Sequence, residues 1–211
     1  MKKYLPLLIL MLAACGGGFQ KSPVDKLILA LEDQPTYSII MYDMEQEGAL
    51  FKTYKHRYKI VTMDDGEPKE IKTEWYEVQE PFFWKHQNNL GMEIASKGED
   101  GKINKEAAPP GYGSYVGNEK YGQWVNRGGS SFWEFYGKYA MMSTVFGMFN
   151  RPVMYDNYAN YNRNYRGNRS YYGGRDQSGK PRYGTQSTHA QKTNPNFFER
   201  RKQRTNWQTS N

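Results

Sequence analysis

The sequence predicts an α+β fold in which an N-terminal helix packs on an antiparallel β-meander, followed by a second aromatic helix and a disordered C-terminal tail. Three observations carry this expectation. A capped segment with apolar residues at helical spacing occupies 22–31; residues 36–97 are rich in Tyr, Ile, Val, Phe and Trp and are broken by turn signals; and beyond Asn150 aliphatic residues nearly vanish.

The helix comes first. Ser22 is a natural N-cap, Pro23 suits the first helical position, and Asp25 can reach back as the partner in a capping box. Val24, Leu27, Ile28 and Leu31 then recur at i, i+3, i+4 and i+7, which makes one buried stripe, and Pro35 limits the continuation. Strands are expected near 37–45, 50–63, 69–80, 82–85 and 90–95. The clearest connection is Asp65-Gly66, a dipeptide suited to a two-residue hairpin turn. In that register Ile60 opposes Ile71, Tyr58 opposes Thr73 and His56 opposes Trp75 on one face, while Arg57 opposes Glu74 on the other.

Residues 98–129 read as a Gly-rich, irregular connection carrying Tyr112, Tyr115, Tyr121 and Trp124. Loops of this length inside a domain are often functional, so 109–124 is a candidate lid over a small-ligand site. Rings stapling the loop onto the sheet are the plainer expectation. Ser131-Phe132-Trp133-Glu134 resembles a capping box and opens a predicted helix over 131–149 that is apolar almost all round. Such a helix is expected in the core or at an interface, with Trp133, Phe135, Tyr139 and Phe146 as its interface candidates.

The charge is unevenly distributed. Residues 16–150 hold 15 Lys+Arg against 19 Asp+Glu, whereas 151–211 hold 12 against 3. The basic balance of the whole chain is therefore a property of the tail. The tail also interleaves cations with rings: Arg163, Tyr165, Arg166, Arg169, Tyr171, Tyr172 and Arg175 are the candidates for polymer binding. Arg offers paired hydrogen bonds to phosphate or carboxylate, and Tyr faces stack on bases or sugar rings.

The N-terminus supplies an address. Lys2 and Lys3 precede an apolar run over 4–12, too short to span a bilayer, and Ala13-Ala14 give the small residues expected before a processing site. Leu12-Ala13-Ala14-Cys15 resembles the lipobox of bacterial lipoproteins. That resemblance implies removal of 1–14, a diacylglyceryl thioether on Cys15 and, with Gly16 rather than Asp following, an outer-membrane address in a two-membrane cell. Residues 15–22 then form a lipidated tether, 23–150 the small α+β domain and 151–211 the basic tail. A single cysteine cannot make an internal disulfide in an exported chain, so lipidation gives it a reason to be there.

Chemistry is sparsely signalled. His56, His86 and His189 lack metal-ligand spacing, there is no nucleophile-elbow or phosphate-loop pattern, and no catalytic residue, metal or cofactor is expected. The sequence thus points to a non-catalytic cell-envelope lipoprotein. Its expected partners are the membrane through Cys15, an anionic envelope polymer or lipid headgroups, or a partner protein. Export argues against nucleic acid. A ligand-binding or enzymatic lid over 109–124 and a scaffold docking through 131–149 are the competing expectations.

Overall fold

In a computed structural model of the chain, the structure describes residues 21–48, 50–148 and 151–209, with side chains to residue 203. The expected signal peptide and Cys15 lie outside the described residues.

Helix α1 (Pro23–Ala30) forms as its capping signals require. Ser22 Oγ accepts from the Asp25 amide at 3.2 Å, and Val24, Leu27 and Ile28 are buried. They face a six-stranded antiparallel sheet built from β1 (Tyr37–Glu47), β2 (Thr53–Asp64), β3 (Glu67–Lys72), β4 (Tyr76–Val78), β5 (Glu93–Lys97) and β6 (Ile103–Asn104). The order is β3-β2-β1-β5-β6, and β4 continues the β3 edge along β2. An α+β fold with a helix on an antiparallel sheet is therefore what the chain adopts.

The Asp65-Gly66 turn has φ of 48° and 81°, the left-handed pair that a tight hairpin needs, and it sets Ile60 opposite Ile71. Thr73 still faces Tyr58: its amide donates to the Tyr58 carbonyl at 2.9 Å and its Oγ1 accepts from the Tyr58 amide at 3.0 Å. Beyond it the register slips by one, so that His56 pairs with Tyr76 rather than Trp75. Arg57 Nε donates to the Thr73 carbonyl at 2.7 Å instead of lying across from Glu74. The threonine hydroxyl has taken over a ladder position, which leaves Glu74 and Trp75 outside the strands. This is the two-against-one count of a bulge.

Residues 82–85, expected as strand, lie in helix α2 (Glu80–Lys85), where Pro81 sits in the first turn and Glu80 complements the helix N-terminus. The expected helix over 131–149 is corrected more deeply. Ser130–Phe135 is strand β8, paired with β7 (Gly122–Arg127) through a Gly128-Gly129 turn with φ of 58° and 78°. Helical structure enters only at a 3-10 turn (Gly137–Tyr139) and α3 (Met141–Val145). The Gly-Gly pair between Arg127 and Ser130 was the local signal for a hairpin, and it outranks a four-residue capping pattern.

Both faces of the sheet are covered. Tyr37, Ile39, Met41, Tyr58 and Ile60 face α1, whereas Ile40 and Val61 face a second cluster that contains Tyr115, Tyr121, Trp133, Phe135, Tyr139 and Phe146. The alternation of a strand puts neighbouring residues on opposite faces, so β1 is buried almost throughout its first half.

The tail expectation is also corrected. Residues 151–209 fold onto the rest of the domain, with α4 (Tyr155–Asn164), α5 (Thr188–Thr193) and α6 (Pro195–Thr209). Met154 bridges to Phe132, and the Trp133 amide donates to the Val153 carbonyl at 2.9 Å. Tyr158, Tyr161, Tyr171 and Tyr183 are buried around Tyr112, with ring centroids 5.5 to 6.5 Å from it. Aliphatic scarcity misled because tyrosine rings supply the missing apolar area. Part of the charge asymmetry is used in docking: Arg200 in α6 pairs with Asp43 at 2.7 Å and Glu45 at 3.2 Å.

Candidate functional site

The loop after β6 is fixed to the sheet by one carboxyl group. Glu93 in β5 is fully buried and exchanges both backbone hydrogen bonds with Ala108. Its side chain accepts from the Gly111 and Gly113 amides, each at 3.0 Å, and from the Ser38 hydroxyl. Burial pushes the carboxyl up to about 7 against the pull of these donors. Gly113 is required there, because a Cβ would lie 2.4 Å from Glu93 Oε1. Tyr112, Tyr115 and Tyr121 are consequently buried against the sheet; they are core side chains of the 109–124 segment.

On that platform the tail builds a cleft of about 380 Å³, within the range of small-ligand sites. α4 ends at Asn164, and the chain returns so that the Tyr171 amide donates to the Ala107 carbonyl at 2.8 Å. A second return brings the Tyr183 amide to the Tyr172 carbonyl at 3.1 Å and the Thr185 amide to the Asn88 carbonyl at 3.0 Å. The approach at Gly184 is close enough that a Cβ would sit 2.5 Å from the Asn88 oxygen.

Four tyrosines, Tyr165, Tyr171, Tyr172 and Tyr183, line this cleft together with Asn88, Asn160, Gln186, Ser170 and Arg175. Tyr165 and Tyr171 pack at 4.6 Å between centroids, and the Tyr172 hydroxyl donates to Asn89 Oδ1 at 2.9 Å. Burial raises the phenol pKa of Tyr171, Tyr172 and Tyr183, so these rings are neutral at physiological pH. Among the described residues lining the cleft none is acidic, and Arg175 is its one cation.

Of the seven polymer-binding candidates, Tyr165, Tyr171, Tyr172 and Arg175 therefore meet in one place. Arg169 stands behind them, its guanidinium 4.4 Å from the Tyr165 ring centroid. Arg166 instead holds the fold, donating to the Gly113 carbonyl at 3.0 Å, and Arg163 donates to the Ala159 carbonyl of its own helix at 3.3 Å. Asn88, Asn160, Gln186 and Tyr183 were missed. The asparagines interleaved with tyrosine along α4 were the available signal for one of them; Asn88 and Gln186 arrive only through tertiary contact.

The four interface candidates are placed otherwise. Trp133, Phe135, Tyr139 and Phe146 are all buried within the chain's own second cluster. Strand alternation explains the first two, since Trp133 and Phe135 point inward from β8 while Glu134 points out.

His56 and His86 are both buried, with ring centroids 6.1 Å apart. His56 Nδ1 is 3.2 Å from the Tyr58 hydroxyl, and His86 Nδ1 is 3.1 Å from Asn89 Nδ2. Burial depresses both imidazoles, His56 to about 3 and His86 to about 4, so both are neutral. Among the described residues no group of three His, Cys, Asp or Glu is placed to hold a metal ion, and no helix is long and apolar enough to cross a membrane. Comparison with protein families, with curated proteins and with solved structures finds no match to this chain.

Proposed function

We propose that this protein is a non-catalytic lipoprotein of the cell envelope, anchored through lipid on Cys15, whose tyrosine cleft binds an acidic saccharide segment of an envelope polymer. The anchor rests on the lipobox resemblance at Leu12 to Cys15. The binding activity rests on one observation: four tyrosines converge with three side-chain amides and a single Arg, without a carboxylate among the described lining residues. Ring faces stack on sugar C–H faces, amides pair with hydroxyls in both directions, and Arg175 takes a carboxylate or phosphate substituent. Arg175 is exposed, so salt should screen its contribution.

The test is calorimetric titration of the mature, unlipidated chain with oligogalacturonate, set beside neutral dextran and poly-glutamate. Saturable, salt-sensitive binding to oligogalacturonate alone is the expected result. Loss of one stacking ring in Tyr165→Ala should weaken it roughly tenfold, as stacking is worth about 1–3 kcal/mol per ring. Equal binding to poly-glutamate would reduce the activity to charge attraction, and indifference to Tyr165→Ala would remove the cleft from it. Point substitutions are the proper tools, because deleting 151–211 also strips Tyr158, Tyr161 and Tyr171 from the core.

A further inference from the structure

A second cavity, of about 200 Å³, lies between the β1–β2 face, α3 and α5, and shares Tyr183 with the tyrosine cleft. Its apolar wall includes Ile40, Pro110 and Phe146. Its basic groups are Lys59, Arg151 and His189, the last held below the ordinary imidazole value by burial and by Arg151, and among the described residues lining it none is a carboxylate. Lys59 is partly balanced, with Glu70 at 3.4 Å and its ammonium donating to the Val145 carbonyl at 2.6 Å.

Arg151 is held rigidly. Its guanidinium lies 4.3 Å from the Tyr183 ring centroid, and Nη1 donates to the Arg182 carbonyl at 2.9 Å. Its Nε is buried without a hydrogen-bond partner among the described residues, an arrangement that costs free energy unless something accepts from the group. Gly147 lies beside this guanidinium and the His189 ring. A Cβ built there would meet Arg151 Nη2 at 3.6 Å and His189 Nε2 at 3.9 Å. The Arg151 guanidinium and the His189 imidazole, from separate segments, thus flank Gly147 at the wall of the cavity.

We propose that this cavity binds a small oxyanion, a carboxylate or phosphate group, held by Arg151 and His189 with Lys59 adding positive field. Arg supplies paired N–H donors in a fixed plane, and the His189 ring has one N–H to donate in its neutral form and two when protonated. The assignment is independent of the saccharide reading, since it uses different donors and a different probe.

The experiment follows the His189 ring resonance of the mature chain by NMR. Sodium phosphate and sodium acetate are titrated at constant ionic strength, with sodium chloride as control, and 31P linewidths give a second readout. A saturable shift with phosphate assigns a phosphoryl-type ligand; one with acetate assigns a carboxylate. Arg151→Gln should weaken binding roughly tenfold or more, the worth of a lost charge-assisted hydrogen bond pair. Because that change also releases Arg182 and Tyr183, His189→Gln is read beside it by acetate and phosphate competition against calorimetric heat, and it should weaken binding several-fold in a fully folded chain. A shift that chloride reproduces without saturation, or unchanged affinity in folded His189→Gln, overturns the proposal.

Discussion

Glu93→Gln probes the point on which the tail, the loop and the sheet all depend. In the parent, the carboxyl receives the Gly111 amide on Oε2 and the Gly113 amide on Oε1. Glutamine offers one oxygen, so its NH2 must face one of these N–H groups, at a cost of about 1–3 kcal/mol. Titration acts in the opposite direction. Burial raises Glu93 in the folded protein to about 7 from an ordinary value of 4.5. A carboxyl raised by folding stabilises fully below its unfolded pKa, and that contribution is lost as pH rises from about 4.5 through about 7. At roughly 1.4 kcal/mol per pH unit, the parent loses about 3 kcal/mol between pH 5 and 8 that the glutamine variant does not lose. Urea unfolding of both proteins at the two pH values measures the difference directly, and titrations elsewhere cancel. The variant should be less stable at pH 5 and should reach or pass the parent at pH 8. A stability gap that stays constant across this range would refute the assignment of a neutral, protonated Glu93 in the folded core.

Two further outcomes follow from the same geometry. Phe135→Asp buries a charge in the cluster with Trp133 and Tyr139, so it should destabilise by about 3–5 kcal/mol; a variant that keeps its thermal midpoint and merely changes association state would restore Phe135 to the surface. His56 and His86 are held neutral, at about 3 and about 4, against an ordinary 6.5. Since the unfolded chain takes up these protons first, stability is full above pH 6.5 and falls on acidification toward pH 4, by up to about 2.7 kcal/mol per unit for the pair before the opposing Glu93 contribution. Acid titration of the parent against His86→Gln should show a shallower slope in the variant. Equal slopes would show that His86 does not stay neutral in the fold.

What the sequence determined was local or periodic. The Ser22 cap and the Val24, Leu27, Ile28 stripe specify α1, and the αL-permissive Asp65-Gly66 pair fixes the hairpin that places Ile60 against Ile71. These features hold because each is encoded within a few residues. The hairpin at Gly128-Gly129 was equally local; it was overlooked because an all-round apolar run reads as helix when neither of its sides is known to be buried. Four of the seven Tyr and Arg residues singled out in the tail line one cleft, a placement that composition does not specify.

The tertiary structure decided the rest. Whether a tyrosine-rich, aliphatic-poor segment orders depends on whether other rings are present to receive it, and Tyr112 is brought to Tyr158, Tyr161, Tyr171 and Tyr183 only by the pinning of Gly111 and Gly113 to Glu93. Nothing near Glu93 in sequence distinguishes it from the surface glutamates of neighbouring strands. The meeting of Asn88 with Gln186, or of Arg151 with His189, joins segments distant along the chain. Such pairs are set by the summed burial of the whole fold, a quantity that local propensity does not contain.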